Sequence, residues 1–256
     1  MIELNKIYNE DCLIGMKDIP DKSIDCIICD LPYGTTDCSW DSTIPIDKLW
    51  EQYNRILKRQ GSVLLFGTEP FSSYLRTSNI RHYKYDWIWK KNNCTGFQHS
   101  KNMPLKDFEI ISVFSNASMG HISLLGDNRM VYNPQGIIQI NKNIKNGKRN
   151  FVNIVGKRPS HKDEFIQEYT NYPTMTLNYS KDNSKLHPTQ KPVALIEYLI
   201  KTYTNEGELV LDNCMGSGTT AIACMNTNRN FIGFELNKEY YDISCKRIEE
   251  NKMKLF

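Results

Sequence analysis

The first half of the chain alternates between strand-like and helix-like patterns of hydrophobic positions, as α/β proteins do. Residues 23–29 and 62–66 are almost continuously apolar, which predicts strands covered on both faces of a sheet. Between them, residues 46–58 place large apolar side chains at the helical spacings of one, three and four: Leu49, Trp50, Tyr53, Ile56 and Leu57. We therefore predict strand, helix and strand in that order, with Gly61 ending the helix.

The alternation is lost in the middle of the chain and then resumes. Residues 116–184 are rich in Asn, Gly and Lys, with short apolar runs at 136–140 and 151–155, which predicts a small, irregular, partly β lobe. The other predicted elements are a helix over 70–77, strands over 83–89 and 108–114, a helix over 192–204, a strand over 208–211, a helix after Thr219, a strand over 230–235 and a C-terminal helix. The simplest organisation is one α/β domain, residues 1–115 and 185–256, with the lobe 116–184 inserted.

Charge is concentrated in that lobe. The 256 residues carry a net charge of +3, from 32 basic and 29 acidic side chains, which by itself indicates no partner. Between Asp127 and Asp163, however, the chain has no acidic residue and a local charge of +8, so the remainder carries −5. A solvated loop and a phosphate-contacting surface both fit this pattern. The candidate phosphate-contacting residues are Lys142, Lys145, Lys148, Arg149, Lys157 and Arg158.

The cysteines and the apolar runs favour a cytosolic protein. No run approaches the roughly 18 apolar residues that a membrane span needs, and residues 1–6 lack a signal-peptide profile. Eight scattered cysteines in a chain of this length favour reduced thiols over a disulfide framework. Cys26 and Cys29 match C-x-x-C, but positions three apart in a strand face opposite sides, so they cannot share a metal. We expect no metal.

A glycine-rich turn between a strand and a helix is the first candidate binding site. The segment reads Leu209-Val210-Leu211-Asp212-Asn213-Cys214-Met215-Gly216-Ser217-Gly218-Thr219-Thr220. Gly216 and Gly218 permit a tight turn and close approach of a ligand to the backbone. Glu235 ends the next strand seventeen residues after Gly218, close to the spacing at which a carboxylate meets ribose hydroxyls. The pattern predicts a nucleoside cofactor and leaves a dinucleotide and S-adenosylmethionine both open.

A second candidate site follows the first buried strand, at Asp30-Leu31-Pro32-Tyr33. Ligands bind at the carboxyl ends of the strands in α/β sheets. The Asp30 carboxylate and the Leu31 carbonyl are two acceptors that can hold both hydrogens of a planar amine, with Pro32 stiffening the chain between them and Tyr33. Tyr33 can stack on an extruded base, a contact worth roughly 1–3 kcal/mol. An ordinary strand-terminating turn is the alternative interpretation.

Together these segments resemble a known family. Asp30-Leu31-Pro32-Tyr33 resembles the D-P-P-Y motif of DNA amino-methyltransferases, and 212–220 resembles their cofactor loop, D-P-F-x-G-S-G-T-T. The catalytic motif precedes the cofactor loop, an order similar to that of the circularly permuted β class. The resemblance implies S-adenosylmethionine as cofactor. It also implies a Rossmann-like methyltransferase sheet, mostly parallel with an antiparallel edge hairpin, and a target-recognition lobe at 116–184.

The resemblance extends to three shorter segments. In 187–192, which is similar to the family's segment before the cofactor loop, Thr189 and Lys191 lie beside the positive end of a helix, where a methionine carboxylate would be stabilised. In residues 9–12, the resemblance implies that Asp11 accepts a hydrogen bond from the cofactor's adenine. Residues 87–91 with 108–109 resemble the W-x-K and H-E region, although Asp107 stands where His is commoner. The implied cofactor residues are Asp11, Cys12, Asp30, Thr189, Lys191, Asp212, Asn213, Gly216, Ser217, Gly218, Thr219 and Glu235.

These observations predict an enzyme that methylates the N6 amine of a flipped adenine in double-stranded DNA, with Asp30, Leu31, Pro32 and Tyr33 as its catalytic segment. Cytosine-N4 methylation needs the same geometry and is the alternative, although Asp at position 30 favours adenine by resemblance. RNA or protein-glutamine methyltransferases usually have the opposite motif order. An oxidoreductase would leave residues 30–33 without a role, and a non-catalytic DNA-binding module would leave the cofactor loop unexplained.

The resemblance also suggests the protein's setting. Homodimers are common in this class, and a cognate restriction endonuclease is a candidate partner. We expect the cytoplasm of a bacterial or phage-infected cell and no contact with a membrane. The DNA target sequence does not follow from any motif in the lobe, because base contacts depend on side-chain placement.

Overall fold

The computed structural model describes residues 2–34, 43–120, 122–145, 164–180 and 190–254. The chain divides into two compact units, a larger one of Met1–Asn133 with Met175–Phe256 and a smaller one of Pro134–Thr174. The strands are β1 Lys6–Tyr8, β2 Ile24–Cys29, β3 Leu57–Gly67, β4 Tyr83–Thr95, β5 Lys106–Ser115, β6 Ile138–Lys145, β7 Glu164–Thr170, β8 Thr176–Asn178, β9 Leu209–Asp212 and β10 Asn230–Phe234. The α-helices are α1 Cys12–Gly15, α2 Ile46–Ile56, α3 Phe71–Ser78, α4 Ile122–Leu125, α5 Val193–Tyr203, α6 Thr219–Asn226 and α7 Lys238–Lys254.

One eight-stranded sheet forms the framework of the larger unit, in the order β1-β10-β9-β2-β3-β5-β4-β8. The first five strands in this order run parallel to one another. Strand β5 is antiparallel to both β3 and β4, and β8 is parallel to β4. This confirms the predicted α/β class, with a mostly parallel sheet and an antiparallel hairpin toward one edge.

Helices cover both faces of the sheet. Residues of α5, α6 and α7 belong to one apolar cluster, and residues of α1, α2 and α3 belong to the other. Strand β2 is buried throughout and alternates between them: Cys26 and Ile28 face the first cluster, whereas Ile27 and Cys29 face the second. The two thiols of the C-x-x-C therefore lie on opposite faces, as predicted.

The strand order reverses between β9 and β2. Strand β9 continues into α6 on one face, whereas the chain after β2 reaches α2 on the other face. Connections that diverge in this way leave a crevice at the carboxyl ends of the two strands, and in open α/β sheets ligands bind there. Both candidate sites lie at this point, because Asp30 follows β2 and the glycine turn follows β9.

Several predicted ends of helices and strands are wrong, and packing explains the error at the end of α2. The helix predicted over 46–58 ends at Ile56, and β3 begins at once with Leu57, whose backbone is extended. Gly61 does not end a helix but lies inside β3, where a Cβ would meet the Asp25 carbonyl oxygen at 2.7 Å. Glycine is therefore needed at this position so that the backbones of β2 and β3 can approach closely. Strands β1, β7 and β8 were not predicted.

The smaller unit contains an antiparallel pair, β6 and β7. Its apolar side chains are largely exposed: Ile138, Ile140, Phe165 and Ile166. The run at 151–155 lies outside the described residues. No helix in the described ranges is long and apolar enough to cross a membrane.

Candidate active site

A cavity of about 420 Å³ opens at the carboxyl ends of β2 and β9. Both predicted motifs line it, together with the N-terminal segment and the end of β10. The predicted site residues along its wall are Asp11, Cys12, Asp30, Leu31, Pro32, Tyr33, Lys191, Asp212, Asn213, Gly216, Ser217, Thr219 and Glu235. The cavity thus brings together segments that are about 200 residues apart in the chain. Thr189 lies outside the described residues.

The glycine turn has the backbone that the sequence predicts. Gly216 has a φ of 54° and Gly218 a φ of 83°, both in the left-handed region that side chains disfavour. Gly218 is also the N-cap of α6, and a Cβ there would lie 3.0 Å from the Cβ of Ser244. The turn is therefore fixed both by its backbone angles and by the packing of α7 against it.

Glu235 directly follows β10 and binds the backbone of the glycine turn. Its carboxylate accepts hydrogen bonds from the backbone N–H of Gly216 at 2.7 Å and of Asn237 at 2.8 Å. Burial raises the pKa of Glu235, and these backbone donors partly offset that effect. One oxygen is bonded to each donor, so each retains a lone pair for a further donor. Two hydroxyls of a ribose would satisfy both.

Asp212 stabilises the glycine turn through two hydrogen bonds. The Thr220 hydroxyl donates to Oδ2 at 2.6 Å, and the backbone N–H of Cys214 donates to Oδ1 at 3.1 Å. Burial raises the pKa of Asp212 to about 7, although both of these hydrogen bonds act in the opposite direction. The carboxylate therefore connects the end of β9 to the first turn of α6.

The floor of the cavity combines an amide with several thiols. Asn213 accepts a hydrogen bond from the Tyr53 hydroxyl at 2.5 Å and donates to the sulfurs of Cys12 and Cys214. Burial raises the pKa of the neighbouring Cys29 to about 12, so this thiol is neutral. Asn213 and Cys214 replace Pro-Phe of the related motif, and the bond to Tyr53 shows how α2 accommodates them. Sequence analysis did not identify Tyr53, since it matches an ordinary core position of an amphipathic helix.

Asp11 has a structural task in addition to its predicted one. It is the N-cap of α1, and its carboxylate accepts the backbone N–H of Leu13 at 2.7 Å. Because the side chain also lines the cavity, one carboxylate oxygen is fixed by the cap while the other can accept a further donor.

Asp30 is held by partners on both of its oxygens. The Tyr33 hydroxyl donates to Oδ1 at 2.7 Å, and the Lys191 ammonium pairs with Oδ2. The Tyr33 ring packs on Phe71, with ring centres 4.7 Å apart. Burial raises the pKa of Tyr33, and the charge of Asp30 adds to that effect, so the phenol remains a neutral donor.

A buried chain of charges continues from Asp30 into the antiparallel hairpin. Lys191 lies 3.3 Å from Oε2 of Glu109, and Oε1 of Glu109 pairs with Lys91. Burial would lower the pKa of Lys191, but Asp30 and Glu109 outweigh it and hold the pKa above its usual value. Burial would raise the pKa of Glu109, but Lys191 and Lys91 hold it below its usual value. Lys191 and Glu109 are therefore both held in their ionised forms.

The sequence predicted some of the residues in this series of ion pairs, but not that they contact one another. Lys191 was assigned to a helix end, where α5 does begin after Pro192, yet its ammonium lies between two carboxylates. Glu109 and Lys91 fall in the segments that resemble the W-x-K and H-E region. Only the antiparallel pairing of β4 with β5 places them beside each other.

Two of the six predicted DNA-contacting residues are described. Lys142 and Lys145 lie on β6, and Lys145 forms an exposed ion pair with Glu164 at 3.2 Å. The other four lie outside the described residues: Lys148, Arg149, Lys157 and Arg158.

Known proteins resemble the chain over almost its whole length. The chain is 32% identical over 260 residues to type II methyltransferase M1.MboII of Moraxella bovis, covering 94% of this chain and 95% of that protein. It is 28% identical over 264 residues to the DNA adenine methyltransferase YhdJ of Escherichia coli, covering 96% and 83%.

Solved structures of methyltransferases also align with the chain over almost its whole length. The M1.HpyAVI–SAM complex is 26% identical, has a TM-score of 0.61 and aligns over 94% of this chain and 98% of that one. The cytosine-N4-specific PvuII DNA methyltransferase is 16% identical and has a TM-score of 0.64, and the alignment covers 98% of this chain and 92% of that one. At this low identity the similarity shows a shared fold and nothing more. This fold is the Rossmann-like methyltransferase sheet that the sequence predicts.

The sequence model of one family matches residues 24–246, a range that includes both motifs and the strands that present them. The matched family is described as DNA methylase and groups N6 and N4 amino-methyltransferases, and this chain belongs to it.

Proposed function

We propose that this protein transfers a methyl group from S-adenosylmethionine to the N6 amine of an adenine flipped out of double-stranded DNA. The observation that carries the proposal is the single cavity shared by Asp30 and the glycine turn. An amine acceptor and a nucleoside-binding loop then face the same space, as methyl transfer between two bound reactants requires.

The residues around the turn fit the cofactor. The cavity of about 420 Å³ suits a ligand of this size. Glu235 would hold the ribose hydroxyls, and Asp11 would accept the adenine amine. Thr189 would contact the methionine carboxylate, whereas the Lys191 ammonium, which lies between Asp30 and Glu109, would position the catalytic segment beside it. S-adenosylmethionine supplies an electrophilic methyl group on a positively charged sulfur.

Asp30 and Leu31 would orient the attacking amine. Each Asp30 oxygen is bonded to one partner and keeps a lone pair, so the carboxylate can still accept an amine hydrogen. The Leu31 carbonyl would take the second hydrogen, favouring build-up of the nitrogen lone pair, and Pro32 would stiffen this arrangement. Rate enhancement would come mainly from orientation and exclusion of water, with Asp30 able to accept the released proton.

Adenine is the base that the similarities support best. The relatives include a protein named as an adenine methyltransferase, YhdJ, at 28% identity, whereas the cytosine-N4-specific structure is only 16% identical. Asp30, rather than Ser, begins the catalytic segment, which by resemblance also favours adenine. Tyr33 would stack on the flipped base, which requires its ring to face the incoming base while its hydroxyl remains on Asp30.

Labelled-methyl transfer tests this function. Purified protein is incubated with labelled S-adenosylmethionine and unmethylated plasmid DNA, in parallel with Asp30→Ala and the control Asp47→Ala, which changes an exposed aspartate of α2. We expect transfer by the wild type and the control, and none by Asp30→Ala. The variant should still unfold cooperatively. Full transfer by Asp30→Ala would refute the proposed mechanism.

The smaller unit and its neighbouring segments, 116–184, would read the DNA target. We propose Lys142, Lys145, Lys148, Arg149, Lys157 and Arg158 as phosphate contacts. Neutralising any one of these side chains should reduce the slope of log affinity against log salt by about 0.9. Charge-neutralising variants therefore test this assignment residue by residue. A homodimer, a partner restriction endonuclease and a bacterial cytoplasmic location accompany this function as proposals.

A further inference from the structure

We propose that the projecting end of the β4–β5 hairpin, residues 90–106, is a second DNA-contacting element that enters the duplex beside the target base. We name it the hairpin wedge. This inference rests on the proposed function, because it assigns a further contact for the same DNA substrate. It adds an element in the larger unit to the contacts predicted for the lobe 116–184.

The hairpin extends well past the edge of the sheet. The last residue of β3, Gly67, pairs with Ile110 of β5. Strand β5 begins four residues earlier, at Lys106, which pairs with Thr95 of β4. At about 3.4 Å per residue, the strands continue roughly 14 Å beyond the end of β3. The turn 96–105 lies farther out still.

This projection lies on the catalytic side of the molecule. Because β5 is antiparallel to β3, its first residues lie at the carboxyl end of β3, the same edge at which β2 ends before Asp30. The base of the hairpin is also joined to the site, since Lys91 and Glu109 connect through Lys191 to Asp30. The hairpin wedge is therefore fixed beside the point at which a target base must enter.

The hairpin wedge and its base expose large apolar side chains. Phe97 is 66% exposed and Met103 is 47% exposed, although both lie in short structured turns. Phe108, at the base of the wedge, is 45% exposed. Burying such a side chain is worth about 1.5–3 kcal/mol, so several of them left in water on one hairpin beside the active site indicate a surface that contacts a partner.

The charge of the wedge identifies the partner as DNA. Residues 87–106 contain no Asp or Glu. Lys90, Lys101 and Lys106 are exposed and form no ion pair with any described residue. Three such cations along a hairpin with exposed apolar side chains suit a polyanion with hydrophobic base faces. Proteins that kink or open DNA insert apolar side chains between base steps while cations hold the adjacent phosphates.

Such a wedge would lower the cost of base extrusion. Unstacking and unpairing one nucleotide costs a few kcal/mol, and less when the base is already mismatched. Phe97 would occupy the space between base steps that extrusion disturbs, while Lys101 and Lys106 contact the flanking backbone. The contribution of Phe97 should therefore depend on whether the target base is paired, whereas a purely structural contribution would not.

Single-turnover methylation of oligonucleotide duplexes tests this role. The duplexes carry the target sequence mapped first on methylated plasmid DNA, with the target adenine either paired or opposite a mismatched base. The variant is Phe97→Ala. The matched control is Ile80→Ala, since Ile80 is 65% exposed but precedes β4, at the opposite end of that strand. We expect Phe97→Ala to slow methylation of the paired duplex at least tenfold and the mismatched duplex far less. The control should match the wild type.

Three results would overturn the inference while leaving the proposed function intact. Phe97→Ala could methylate the paired duplex at the wild-type rate. It could slow both duplexes equally, which would indicate a structural role. Light scattering could show that Phe97→Ala converts a dimer into a monomer. The tip of the hairpin wedge would then be a contact between copies of the chain. In contrast, failure of the wild type to methylate any DNA would refute the proposed function itself.

The lysines provide an independent measurement. Changing Lys101 and Lys106 together to Ala should reduce the slope of log binding affinity against log salt by about 1.8, because each phosphate contact contributes about 0.9 to that slope. Binding should weaken to a similar degree for specific and non-specific duplexes, since phosphate contacts read no sequence. An unchanged slope would contradict contact between the hairpin wedge and the DNA backbone.

Discussion

Replacing Lys191 with Met should both destabilise the protein and stop methyl transfer. Lys191 is the buried cation between two carboxylates, Asp30 in the catalytic segment and Glu109 in β5. Met has a similar length and can fill the space of the Lys191 stem, but it loses the ammonium that lies 5.2 Å from the centre of the Phe66 ring. The variant therefore removes charge and hydrogen bonds while leaving no large cavity.

The geometry sets the size of the effect. Lys191 Nζ lies 3.3 Å from Glu109 Oε2, which at an effective dielectric constant of 20 corresponds to an attraction of about 5 kcal/mol. Desolvation of the buried ammonium offsets part of this attraction. Removing one partner of a buried ion pair costs about 3–5 kcal/mol, and we expect the lower end because Lys91 still pairs with Glu109. Each kcal/mol lowers Tm by about 2–4 °C in a chain of this size, so the expected loss is about 6–12 °C.

The effect should depend on pH with a defined sign. Lysine neighbours hold the pKa of Glu109 below its ordinary value, so its ionised form contributes stability above the unfolded-state pKa, and that contribution is lost as pH falls through the folded-state value. Lys191→Met removes much of this contribution. The Tm difference between wild type and variant should therefore be largest near pH 7 and shrink below about pH 4.

Two further variants make this prediction refutable. Lys238→Met changes an exposed lysine that pairs with Asp242 and should leave Tm nearly unchanged. Adding Glu109→Gln to Lys191→Met also takes the carboxylate partner away from the buried Lys91, so the double variant should recover neither stability nor methyl transfer, the latter measured at a temperature at which both variants are folded. A wild-type Tm in Lys191→Met, or recovered transfer in the double variant, would show that the charge chain has no positioning role.

Three further variants test the cofactor loop. Burial raises the pKa of Asp212 to about 7, so wild-type stability should fall as pH rises from about 4 to above 7; denaturant unfolding of Asp212→Asn should show a flatter profile. Gly218→Ala forces a side chain to adopt a φ of 83° and pushes against Ser244, which should cost about 1–2 kcal/mol of unfolding free energy and weaken cofactor binding. Glu235→Gln should weaken S-adenosylmethionine binding by about tenfold, equivalent to 1.4 kcal/mol, in calorimetry. It should weaken binding of a cofactor analogue lacking the ribose hydroxyls much less, and an equal loss for both would contradict the ribose contact.

The sequence predicts most of the sheet because buried parallel strands have a strong pattern. Strands β2 and β9 are short apolar runs that end in Asp30 and Asp212-Asn213, and the glycines after β9 imply the turn that follows. Strand β1 is only three residues long and has a single buried side chain, Ile7, so its pattern is too short to detect. It forms by pairing with β10, a contact over more than 220 residues of chain.

The site is predictable in its segments but not in its connections. Position and residue type suffice to select Asp30 and Glu235, since both follow buried strands. The pairing of Lys191 with Glu109 joins residues from different parts of the chain, and no local pattern carries that information. The role of Gly61 was mistaken for a similar reason, because only the approach of the Asp25 backbone explains it.

The most direct test of the central claim is the identity of the methylated nucleoside. DNA methylated by the purified protein with S-adenosylmethionine is digested to nucleosides and separated by liquid chromatography with mass spectrometric detection. We predict N6-methyldeoxyadenosine, formed by the wild type and absent with Asp30→Ala. N4-methyldeoxycytidine as the product would contradict the assignment of adenine, and the absence of any methylated nucleoside would contradict the proposed function.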